Sequence, residues 1–66
     1  ERDMALTTKP NIADADGFYA KLLATHRGLS EAQSHALNAR LVLILSNHIG
    51  DADVLEAALA LARDGA

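Results

Sequence analysis

Sixty-six residues allow one small domain, and a chain this short buries only roughly 60% of its unfolded surface, so any core is thin. It has no cysteine, which excludes disulfides, thiolate metal sites and thiol redox chemistry. The formal charge of −3 has no basic stripe within it, so nucleic acid is not an expected partner.

No apolar run approaches the roughly 20 residues that cross a bilayer, and no signal-peptide pattern opens the chain. The expectation is a cytosolic protein that does not engage a membrane. Without disulfides or a deep core, the remaining device is association, either as a homodimer or against a larger protein.

Residues 1–13 read as an extended lead-in, because Thr7-Thr8-Lys9-Pro10-Asn11 has no periodicity and Pro10 restricts the residue before it. Met4 is a candidate natural start, which would make Glu1-Arg2-Asp3 extraneous. Ile12 is expected to be the first anchor to the core. A first helix over about 14–27 starts from a cap at Asp14 or Asp16. At 100° per residue, Ile12, Ala15, Phe18, Tyr19, Leu22, Leu23 and His26 share one arc. Gly28 supplies a left-handed terminus, followed by Leu29 as an apolar contact.

Ser30-Glu31-Ala32-Gln33 matches a capping box and opens a second helix over 31–49, stopped by Gly50. Asp51 caps a third helix over about 52–63, with Asp53 in its first turn and Arg63 in its last, as the helix dipole favours. Its apolar arc is Val54, Leu55, Ala58, Leu59, Leu61 and Ala62. The fold class is all-α: a two-helix hairpin plus a C-terminal helix, its core completed by oligomerisation.

The second helix is apolar on every side over Leu41-Val42-Leu43-Ile44-Leu45. Its wheel separates a broad stripe (Leu37, Leu41, Val42, Ile44, Leu45, His48 and Ile49, with Asn38 inside it) from a narrow one. The narrow stripe is Ala32, Ala36, Ala39 and Leu43, with the 4-3-4 spacing of a packing seam. The short first and third helices are expected to cover the broad stripe. That leaves the narrow one for a subunit or partner, unless one flanking helix covers each.

Gln33, Arg40 and Asn47 recur every seven residues along a polar edge between the stripes. Arg40 and Asn47, with His48, form a candidate anion or ligand site, since a guanidinium fork and an amide can hold a carboxylate or phosphate. The alternative is a solvated edge, with Arg40 paired to an acid on a neighbouring helix. His48 also fits a structural role, bonding exposed carbonyls in the last helical turn. His35 and His48 are about 140° and roughly 20 Å apart on one helix, so a single-chain metal site built on His26, His35 and His48 is not expected. No catalytic constellation, glycine-rich phosphate loop or cofactor motif stands out, and three short helices leave little room for a ligand pocket of several hundred Å3.

Asp16-Gly17-Phe18-Tyr19, His26-Arg27-Gly28-Leu29-Ser30, Leu37-Asn38-Ala39-Arg40-Leu41 and Asn47-His48-Ile49-Gly50-Asp51 together resemble a family of short bacterial proteins, the domain-of-unknown-function family numbered 2783. The resemblance runs from Ile12 to Ala62, and the Asn-His-Ile-Gly-Asp turn is its most specific part. It implies a proteobacterial protein without an established activity. Because members often accompany flavin-dependent oxidoreductases of aromatic-compound breakdown, it also implies an accessory-subunit role. The family's recurrent residues fall here on Asn38, Arg40, Asn47, His48, Gly50 and Asp51.

Two functions are therefore expected in order. The first is a non-enzymatic protein-interaction or self-association module. The second is a small anion binder acting through Arg40, Asn47 and His48, serving an oxidoreductase partner.

Overall fold

The computed structural model describes residues 5–66 and contains three helices: α1 (Ala15–His26), α2 (Glu31–Ile49) and α3 (Ala52–Asp64). No strand occurs among the described residues. The lead-in from residue 5 to the start of α1 forms no helix. The expectation about the natural start falls on residues 1–4, outside the described ones.

Each helix begins where a side chain can take up its free amides. Asp14 caps α1, its Oδ1 accepting the Gly17 N–H at 3.0 Å. Asp16 instead lies in the first turn, where its charge suits the positive end of the helix dipole. At α2 both halves of the capping box are made: Gln33 N–H donates to Ser30 Oγ at 3.1 Å, and Ser30 N–H to Gln33 Oε1 at 3.0 Å. Asp51 Oδ1 accepts the Val54 N–H at 3.0 Å and starts α3.

The two inner turns differ. At Gly50 (φ 72°) the chain enters the left-handed region and its N–H bonds the Ser46 carbonyl at 2.9 Å, the expected glycine stop. At the other turn α1 ends one residue earlier than its sequence suggests. Arg27 is extended (φ −61°, ψ 130°), Gly28 has φ 83°, and Leu29 N–H bonds the His26 carbonyl at 3.1 Å. This is a type II turn, which requires the glycine at its third position.

Packing is sparse. Leu22 and His26 of α1 are half-buried, as are Ser34, Leu37 and Leu41 on the first part of α2, and His26 bonds Ser34 and Asn38 across the turn. Val54, Leu55 and Ala58 of α3 are half-buried near Ser46, close to the Gly50 turn. Not one described residue is buried.

The expectation that α1 and α3 cover the broad stripe of α2 is therefore corrected: Val42, Ile44, Leu45 and Ile49 remain exposed, Ile44 at 63%. The cause is directional. The α1 contacts lie on the first half of α2, and α3 touches it only near their shared turn. Ile12 is likewise exposed, at 58%, and not an anchor; Leu6 is the half-buried residue of the described lead-in. Phe18, Tyr19 and Leu23 also stay exposed.

The chain presents 5881 Å2 to solvent. A compact monomer of this mass would present about 4,000 Å2. Its radius of gyration is 13.9 Å, and its extents are 46 × 25 × 23 Å. A compact chain of this length would have a radius near 11 Å. The fold is an open three-helix frame.

Candidate functional site

Helices α2 and α3 meet at the Gly50-Asp51 turn and splay apart. Between them lies a groove of about 500 Å3, lined by Val42, Leu43 and Ser46 on one wall and Leu55, Ala58, Leu59 and Ala62 on the other. Three short helices do leave room of this size, contrary to the sequence-based expectation, because the splay opens space that a closed hairpin would fill.

The sequence explains the lining. Residues 42, 43 and 46 share one side of α2, and 55, 58, 59 and 62 follow the i, i+3, i+4, i+7 spacing of one face of α3. Leu43 and Leu59 stand at the rims, 70% and 68% exposed. Ser46, Ala58 and Ala62 are small and make the hollow. No charged residue lines the groove, and Ser46 brings its only hydroxyl. Small-molecule sites join an apolar wall to several convergent polar groups. This groove lacks such a set and is suited to apolar side chains.

The candidate interface residues Ala32, Ala36 and Ala39 lie exposed along α2, on the seam that ends at Leu43. The anion candidates do not converge. Arg40 and Asn47 are exposed on one edge of α2, but His48 lies about 100° further round, and none of the three lines the groove. Gln33, the third member of that edge, is engaged in the capping box. No ion pair to Arg40 is found among the described residues. Nor do any three His, Cys, Asp or Glu residues among them group as a metal site.

A different polar cluster is present that sequence spacing did not single out. His26, at the end of α1, bonds Ser34 Oγ through Nδ1 at 2.9 Å and Asn38 Oδ1 through Nε2 at 3.1 Å. Ser34 and Asn38 are four residues apart and so present a matched pair on one face of α2. With the amide oxygen facing it, Nε2 must donate, and in the neutral imidazole Nδ1 then accepts from the serine hydroxyl. Both ring nitrogens of His26 are thus engaged. The cluster is a clasp that fixes α1 against α2 and accounts for Asn38 within an otherwise apolar stripe. The available signal was the histidine one turn from the glycine corner, facing a serine and an asparagine at i, i+4 spacing.

No helix of the described residues is long and apolar enough to cross a membrane. No curated protein and no solved structure matches the chain. A family model described as "Protein of unknown function (DUF2783)" matches residues 6–64. That span takes in the clasp, the alanine seam and the groove, and the chain belongs to this family of unknown function.

Proposed function

We propose that this protein is a non-enzymatic interaction module whose three-helix frame is completed by a protein partner. The observation that carries this reading is the absence of any buried described residue, together with about 1,800 Å2 of surface beyond that of a compact monomer. Ordering a residue costs roughly 1–2 kcal/mol of backbone entropy, and apolar burial is the main term that offsets it. A frame with no interior offsets little of that cost alone. Its exposed Leu, Ile, Val, Phe and Tyr side chains spread over three helices, which fits a partner that interlocks with the frame better than one that touches a single flat face.

Catalysis receives no comparable support. His26 is saturated by Ser34 and Asn38, and Arg40, Asn47 and His48 do not surround a common point.

The test is amide hydrogen exchange along α2 of the isolated chain, at high and at low micromolar concentration. An assembling module is expected to lose protection on dilution, or to lack it throughout if its partner is a different protein. Strong protection that is independent of concentration would mean that the chain is self-sufficient, and would overturn the reading.

A further inference from the structure

We propose that Ser34 is a covalent acceptor site: its hydroxyl takes an acyl group from an activated ester or thioester, with His26 as the base. The site lies where α1 meets α2 and does not depend on the interaction-module reading. Three observations carry it.

The first is the order of the hydrogen bonds. Asn38 Oδ1 accepts from His26 Nε2 at 3.1 Å, which leaves Nδ1 of the neutral ring without a proton, 2.9 Å from Ser34 Oγ. A hydroxyl in reach of a base whose far side is oriented by a third group is the arrangement that activates a serine.

The second is the contrast with neighbouring hydroxyls. Thr25 Oγ1 donates to the Lys21 carbonyl of its own helix at 2.7 Å, and Ser30 Oγ accepts the Gln33 N–H at 3.1 Å. Those partners are backbone groups, which are too weakly basic to take up a proton. Ser46 lines the apolar groove.

The third is access. Ser34 and His26 are half-buried and Asn38 is exposed, so the set is held in place without being sealed from a donor in solution. None of the three lines the α2–α3 groove, so the site is separate from it.

With a thioester, Ser34 Oγ adds to the acyl carbonyl carbon as its proton passes to His26 Nδ1. The carbon–sulfur bond then breaks, its electron pair leaves on sulfur, and the thiolate recovers the proton from the imidazolium. The products are a Ser34 ester and a free thiol. The modified chain is itself the product, so the transfer needs no turnover and is compatible with a non-enzymatic module. The ester has no hydroxyl proton for Nδ1, so loading removes one of the two bonds of the clasp.

The test uses p-nitrophenyl acetate as the probe, at alkaline pH, with peptide mapping of the acetyl group over time. Ser34 is expected to acetylate about a hundredfold faster than Ser30, the lower end of what general-base assistance supplies. His26→Gln keeps a polar side chain but no basic nitrogen, and is expected to abolish the difference. Asn38→Asp places a charge beside the ring that raises its basicity, and is expected to speed Ser34 severalfold. Urea, which dissolves the clasp without any substitution, is expected to bring Ser34 down to the rate of Ser30.

A folded chain in which Ser34 reacts no faster than Ser30 would overturn the proposal and leave the clasp as a structural contact only. So would a Ser34 rate that survives either His26→Gln or urea. The interaction module stands or falls separately, on hydrogen exchange.

Discussion

A hundredfold dilution of the isolated chain is expected to lower its melting temperature by about 10 °C. The size follows from linkage. In a folded dimer that dissociates as it unfolds, diluting a hundredfold removes about 2.7 kcal/mol of stability per dimer. Unfolding entropy is close to 2.1 cal/mol/K per residue, and two chains of 66 residues release roughly 280 cal/mol/K. The quotient is about 10 °C, far larger than most single substitutions on a surface produce. Circular dichroism melts over two decades of concentration read it directly. A midpoint that stays fixed across that range would show that folding does not depend on association.

Gly50→Ala is expected to do marked harm to the frame itself. At φ 72° an alanine pays about 1–2 kcal/mol for the left-handed conformation. At 4–8 °C per kcal/mol, the expected loss is several degrees or more in melting temperature. Crowding adds nothing, because the nearest neighbour to an added Cβ is the Asn47 carbonyl oxygen at 3.8 Å. The same turn sets how far α3 swings from α2, so the variant is also expected to associate less well. Gly65→Ala is the control: with φ −84° and ψ −5° it sits in the ordinary helical region, and little change is expected there. Equal effects at both positions would remove the argument from backbone conformation.

The helix limits were legible because they are local. The caps at Asp14, Ser30 and Asp51 each reach only three residues along the chain, and the Gly50 stop is set by one residue's conformation. What could not be read was the relation between helices. The sequence has enough leucine and isoleucine on α2 to suggest that α1 and α3 would cover it. Whether they do depends on crossing angles, which Gly28 and Gly50 permit without dictating. The type II turn at Arg27-Gly28 sends α1 off so that Leu22 and His26 reach α2 while Phe18, Tyr19 and Leu23 do not.

The site was legible to the same degree. The alanine seam ending at Leu43 was visible as a 4-3-4 spacing, but the opposite wall on α3 was not. Leu59 looked like part of an ordinary core arc together with Val54 and Leu61, and only the splay turns it into a groove rim. The polar edge can be read from spacing alone. Arg40 and Asn47 align as their spacing requires, yet His48 points to a different side of α2, and Gln33 is held by Ser30. The clasp of His26 with Ser34 and Asn38 joins residues 8 and 12 positions apart across a turn, beyond what either helix's own periodicity encodes.

The central proposal is that this chain completes its frame by association, tested first for association with itself. Sedimentation equilibrium of the unmodified chain, at about 100 µM where association is favoured by mass action, tests it most directly. The expected result is twice the 7.0 kDa mass of one chain, falling toward the single-chain value on dilution together with the loss of helix. A single-chain mass at every concentration, with helix content and a cooperative melt intact, would contradict it.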